Sequence, residues 1–153
     1  MNNTIVRATA GLTAQLQALA NTIGVSAENI QRTYKSSVDL SALTAPVLYV
    51  ALSGSELESP EEQVYAGAFK KVNVALLYAQ RLDDFDLATL DAALGNVEQV
   101  QNALYELTAW TDDDGYLYQI TDIDINEAPE DAELDHNLFI GKIDVEIRTF
   151  ALL

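Results

Sequence analysis

The sequence holds four sets of side chains whose types and spacing could carry chemistry. His136 is the one histidine, a potential general acid–base, and it lies in a polar, acidic stretch with no nucleophile beside it. Such catalysis needs a partner and a pocket, so His136 reads as a solvated loop residue. Ser53-Gly54-Ser55 follows an apolar run, where a nucleophile elbow would sit, but the elbow needs glycine two positions to either side of the serine. Ser53 is flanked at those positions by Ala51 and Ser55, and Ser55 by Ser53 and Leu57, so the segment reads as a turn. Asp122, Asp124, Asn126 and Glu133 match positions 1, 3, 5 and 12 of a calcium loop. Position 6, where the sharp turn requires glycine, is Glu127, and Pro129 follows at position 8. These residues therefore read as an acidic strand face running into a polar loop. Tyr105, Tyr116 and Tyr118 could form a stacking platform, but with no basic neighbours they read as core or interface. The chain has no cysteine, which removes thiol nucleophiles, disulfides and thiolate metal sites. It also lacks a glycine-rich phosphate loop and a dinucleotide fingerprint. No catalytic residue, cofactor-binding residue or metal ligand is assigned, and the expectation is a chain that is not an enzyme.

Charge narrows the classes further. Eight basic residues against 24 acidic ones give a net charge of −16. Such a surface repels phosphate backbones and anionic membranes, so neither specific nucleic-acid binding nor membrane binding is expected. It suits a surface that DNA slides past without adhering. The chain has 153 residues, of which 49% are apolar, enough for one domain with a packed core. No apolar run reaches the ~18 residues of a membrane helix. The start, MNNTIVRATAG, lacks the basic and apolar blocks of a secretion signal, so the cytoplasm is the expected compartment.

The elements that must position these residues follow from hydrophobic period. Ile5, Ala8, Leu12, Leu16, Leu19 and Ile23 recur at three and four, which predicts a helix over 3–23, capped by Asn3 and ended by Gly24. A short helix follows Ser26, and 33–45 reads as a connection. Pro46 opens a buried strand, Val47 to Leu52, and Glu56 to Glu62 reads as an exposed acidic loop. Residues 64–81 read as a long strand with Val72, Val74, Leu76 and Tyr78 on one face and the small or mixed Lys71, Asn73, Ala75, Leu77 and Ala79 on the other, so that both faces are expected to be partly covered. The chain turns at Arg81 to Asp84. Helical spacing returns over 87–110 in two groups, Leu87, Leu90 and Leu94, then Val97, Val100, Leu104 and Leu107. Gly95-Asn96, with Gln99 as a capping-box partner, predicts a break between them. Asp112 to Gly115 is a turn. Tyr116 to Ile125 is a strand whose phase changes, which a bulge near Thr121 would reconcile. Asn126 to His136 reads as an exposed connection. The last strand puts Phe139, Ile143, Val145 and Ile147 on one face, and Lys142, Asp144, Glu146 and Arg148 on the other. The expectation is an α+β fold, one domain over 1–153, with a mainly antiparallel sheet flanked by helices.

At Ala45-Pro46-Val47-Leu48-Tyr49-Val50-Ala51-Leu52, with the helix before it and the closing Phe139 to Ile147, the sequence resembles small phage tail-terminator (tail-completion) proteins, and among them the Mu-like branch. The shared features are an opening helix, a strand entered after a proline and an amphipathic final strand. What the resemblance implies is a subunit of a ring, usually a hexamer, that caps the tail tube and joins it to the head-side connector or stopper. The implied partners are further copies of the chain, the tube protein, the sheath where a tail has one, and the connector, with DNA passing through the lumen unbound. The implied place is the virion tail or neck, assembled in the host cytoplasm. The family implies no catalytic residue. The segments 54–63 and 126–136, together with the sheet edges, are expected to face neighbours or the lumen. Two alternatives remain: a different small neck protein such as a head–tail stopper, and a calcium-dependent adaptor using Asp122 to Glu133.

Overall fold

The computed structural model describes residues 4–33, 45–57, 70–82, 86–127 and 138–151. In chain order these form helix α1 (Thr4–Ala18), helix α2 (Ala20–Ile23) and strands β1 (Ile30–Thr33), β2 (Val47–Leu57) and β3 (Lys70–Arg81). Helix α3 (Leu87–Leu107) and strands β4 (Ala109–Thr111), β5 (Tyr116–Glu127) and β6 (Leu138–Ala151) follow. One six-stranded sheet runs in the order β1-β2-β3-β6-β5-β4. The β1–β2 pair is parallel and every other pair antiparallel, so the α+β expectation holds.

Both long helices lie on one face of the sheet. Strand alternation sends Leu48, Val50, Val72, Val74, Leu76, Tyr78, Ile143, Val145 and Ile147 to that face, where they are buried. From the helices, Ala8, Leu12 and Leu16 of α1 and Ala93, Val97, Val100 and Leu104 of α3 complete the core. Two close approaches set the helix heights. A Cβ built on Gly11 would lie 2.6 Å from the indole nitrogen of Trp110, and one on Gly141 would lie 2.6 Å from Cγ2 of Val97. Only glycine lets α1 and α3 sit this near the strands below them.

The helix ends follow from local chemistry. Leu19 interrupts the predicted single helix, because its N–H and that of Thr22 bond three residues back, tightening the chain into a 3₁₀ turn. Gly24 closes α2 at φ 84° and donates its N–H to the carbonyl of Ala20, as its position predicted. The helix expected after Ser26 is a single 3₁₀ turn, Ala27–Asn29. Asp86 caps α3 by accepting the Thr89 N–H at 2.8 Å.

Five expectations are corrected. Gly95-Asn96 does not break α3, which runs unbroken from Leu87 to Leu107, and Asn96 instead donates its amide to the Tyr78 hydroxyl at 3.2 Å. A glycine inside a helix costs about 1 kcal/mol, which packing of the Val97 and Val100 face outweighs. Leu87 and Leu94 are exposed, since the buried stripe runs through Ala93 and Val97. The helix ends before Trp110, which belongs to β4. Ser53-Gly54-Ser55 is not a turn: β2 continues through it to Leu57, and the register shift between Leu52 and Gly54 is a bulge. Glu56 likewise belongs to β2 and Asn126 to β5. The remainders of the expected loops, 58–62 and 128–136, together with residues 64–69, lie outside the described residues, as do the proposed cap Asn3 and the turn residues Asp83 and Asp84.

Candidate functional site

Of the candidate residues, His136 and Glu133 lie outside the described residues. Ser53 and Ser55 belong to a paired strand, not to a strand-to-helix elbow. Asp122, Asp124 and Asn126 follow one another along the extended β5, which continues through Glu127 where a calcium loop would turn. The strand thus spreads Asp122 and Asp124 along one face instead of wrapping them about a point.

The bulge expected at Thr121 is present, as a register shift between Ile120 and Asp122. It turns Ile123 and Ile125 toward the helices in line with Tyr118 and Ile120, and turns Asp122 and Asp124 to the opposite, outer face. There Asp122 stands across from Glu146 and Asp124 across from Asp144. Like charges directly opposite oppose pairing. A shallow depression collects Asn73, Asp122, Asp124, Lys142, Asp144 and Glu146. Lys71 and Arg148 reach Glu146 at 3.8 and 3.7 Å, and the Thr121 hydroxyl donates to its carboxylate at 3.1 Å. Exposed ion pairs of that length contribute little. Across β5 and β6 the outer face is therefore acidic, with cations beside Glu146, whereas across β2 and β3 it carries the buried Val47, Ala51, Ala75 and Ala79.

A second polar cluster, on the helix side, escaped the sequence reading. Asp112, at the β4–β5 turn, accepts N–H bonds from Asp114 and Tyr116 on Oδ1, each at 3.0 Å, and the Tyr118 hydroxyl on Oδ2 at 2.6 Å. Arg7 of α1 reaches Asp114 at 3.0 Å and Asp112 at 3.9 Å, and lies over the Tyr116 ring at 4.9 Å. Tyr118 is fully buried and stacks on Trp110 with centroids 5.5 Å apart. The Asp112 to Gly115 turn was legible, but Arg7 is more than a hundred residues away and nothing local links the two. The cluster ties the first helix to the edge of the sheet. It contains no nucleophile poised beside a base, since the Tyr118 phenol is pushed far above its ordinary range by burial and then by the Asp112 carboxylate.

Burial alone would raise the Asp112 carboxyl. The hydroxyl of Tyr118, the two N–H donors and the Arg7 charge outweigh it and hold the group below its usual range. A depressed carboxyl stabilises the fold at neutral pH, and that contribution fades as pH falls from about 4, the unfolded value, through the lower folded one. Asp112→Asn should therefore cost on the order of 1–2 kcal/mol at neutral pH. The gap between variant and wild type should narrow as the pH is taken below about 4. Thermal melts of both proteins across that range check this, and a gap independent of pH would refute it.

An open groove of about 170 Å³ lies where the end of α3 meets β5, lined by Leu104, Tyr105, Thr108, Ile120 and Ile123. Tyr105 is 56% exposed, on a helix and apart from the buried Tyr118, so the tyrosines form no common platform. Thr108 adopts φ 49°, ψ −46°, a conformation rare for a β-branched residue. Among the described residues, no three or more His, Cys, Asp or Glu converge to hold a metal ion, and no helix is long and apolar enough to cross a membrane.

No protein family matches the chain, and no curated protein does. Among solved structures, the chain is similar to one described as the virion of a native gene transfer agent particle. The identity is 16% and the TM-score 0.41, with 97% of this chain and 98% of that chain covered.

Proposed function

We propose that the chain is a non-enzymatic structural subunit of a tailed phage or phage-like particle, and within that class a tail terminator. In this reading copies of it form a ring, a hexamer, that closes the tail tube and meets the head-side connector. The observation that carries the proposal is the division of the sheet's two faces. Helices α1 and α3 cover one face of long strands, and across β5 and β6 the other face presents a row of ordered charges, a surface suited to contact with neighbouring subunits. The element order also agrees with the resemblance: an opening helix, a strand entered after Pro46, and the amphipathic β6. Head-to-tail association of identical subunits closes into a ring when the rotation per subunit divides a full turn, and each subunit can then meet one subunit of the tube. Mutual repulsion of chains of charge −16 opposes association of the free protein at low salt, so the ring assembles on the tail. The acidic balance also serves a wall past which DNA moves.

Imaging of assembled particles beside light scattering of the free protein tests this. The expected result is the protein at the head-proximal end of tails, and tails of irregular length when it is missing. Its absence from that end, or normal tail length without it, would overturn the proposal.

A further inference from the structure

Strand β4 is short, and its pairing with β5 stops at Ala109 opposite Gln119. Thr108 then carries the chain away into α3 through its rare backbone conformation, and its carbonyl takes the Ile120 N–H at 2.8 Å. Beyond that bond, β5 runs on from Thr121 to Glu127 paired with β6 on one side. On the other side no strand pairs with it among the described residues. Among the described residues the sheet thus ends there in a long stretch of strand edge, which is a template for another strand.

Two features beside this edge define what fits it. On the helix side lies the open groove, where Leu104, Tyr105, Ile120 and Ile123 can take apolar side chains from an added strand and Thr108, Thr121 and Asp122 complete the lining. On the outer side Asp122 and Asp124 are exposed, each already facing a carboxylate of β6. An added strand places its own outer side chains on the other flank of these two, where a cation offsets the like-charge pairs and a carboxylate worsens them. An edge with the apolar part of a groove, Leu104, Ile120 and Ile123, on its helix side and Asp124 with Asp122 toward its outer side selects alternation of period two.

We infer that the β5 edge from Thr121 to Glu127 binds, by strand addition, an extended segment of a different protein in which Lys or Arg alternates with apolar residues. A second copy of this chain is a poor occupant, because its 24 acidic against 8 basic residues bring more negative charge to the same place. The inference stands apart from the tail-terminator reading, because it concerns one edge whatever particle the protein serves.

The test uses the full chain and three labelled nine-residue peptides at physiological salt: alternating Lys and Val, alternating Glu and Val, and the Lys–Val composition with its lysines in one block. The alternating Lys–Val peptide should bind at least about tenfold tighter than either other peptide, a difference of about 1.4 kcal/mol. It should also slow amide exchange within residues 121–127. Asp122→Lys combined with Asp124→Lys should weaken it by a similar factor. Should that protein fail to fold, Asp122→Asn with Asp124→Asn is read in the same way. Equal binding of the block peptide would show general attraction to an acidic protein and would overturn the inference. So would protection outside the β5 edge, or affinity unchanged by the substitutions. Protection of 121–127 in the protein alone that vanishes on dilution would identify a second copy as the occupant, and would equally overturn it.

Discussion

Val145→Asp should remove a large part of the stability of the fold. Val145 is 1% exposed and sits in β6, the strand between β3 and β5, opposite Val74 on one side and Ile123 on the other. Its neighbours on the helix-facing layer, Val74, Ile123, Ile143 and Ile147, are aliphatic and offer a carboxylate no counter-charge. A buried, unpaired charge either takes up a proton or leaves the core, and either route costs about 4 kcal/mol or more. Domains of this size are stable by on the order of 5–15 kcal/mol, so the loss is a large fraction of the whole. The adjacent residue supplies the control. Asp144 points to the outer face across from Asp124, and Asp144→Asn should shift stability by no more than about 0.5 kcal/mol. Far-UV circular dichroism and thermal melting compare the two. A Val145→Asp protein that melts within a few degrees of the wild type would mean that the faces of β6 are reversed.

Gly141→Ala has the second largest expected effect. The new methyl would lie 2.6 Å from Cγ2 and 3.3 Å from Cγ1 of Val97, so α3 must lift or Val97 must leave its rotamer. Overpacking of this kind costs about 1–3 kcal/mol. The offending atoms belong to one side chain, which makes the effect correctable. With Val97→Ala in the same protein, the nearest remaining atom is Cβ, at 3.5 Å, an ordinary contact. The double variant should therefore be more stable than the sum of the two single losses by about 1 kcal/mol or more. Urea unfolding of the four proteins in the cycle measures this, and additive losses would place the strain elsewhere.

Both predictions rest on features that differ in how plainly the sequence carries them. The helix-facing side of β3 and β6 was legible because the large apolar residues Val72, Val74, Leu76, Tyr78, Ile143, Val145 and Ile147 recur there at alternate positions, although on β3 the small Ala75 and Ala79 of the other face are buried as well. The bulge at Thr121 was legible for the same reason: only one extra residue reconciles Tyr118 and Ile120 with Ile123 and Ile125. Strand β1 was missed. Only four residues long, it pairs in parallel with β2, and position 32, on the same face as the buried Ile30, holds an arginine, so no local alternation marks it. Strand β4 was absorbed into the preceding helix because Trp110 keeps a spacing of three from Leu107, and its real partner, Tyr118, lies across a turn. The close approach of Gly141 to Val97 is invisible locally, since it joins residues more than forty positions apart. The same distance hid the link between Arg7 and Asp112. The open edge of β5 appeared only once the short reach of β4 was known.

The place of β6 has a consequence for how the chain is made. Strands β1 to β3 and strands β4 to β5 are separate groups, and β6, synthesised after both, is inserted between β3 and β5. Until residues 138–151 leave the ribosome, the sheet has a gap at its middle, flanked by the apolar rows of Val72 to Tyr78 and of Tyr118 to Ile125. The nascent chain cannot complete its sheet domain-half by domain-half during translation, and its native pairings span long stretches of sequence, the arrangement that folds slowly. During that interval the two waiting strands are the points at which a nascent chain would pair wrongly with its neighbours on the same message.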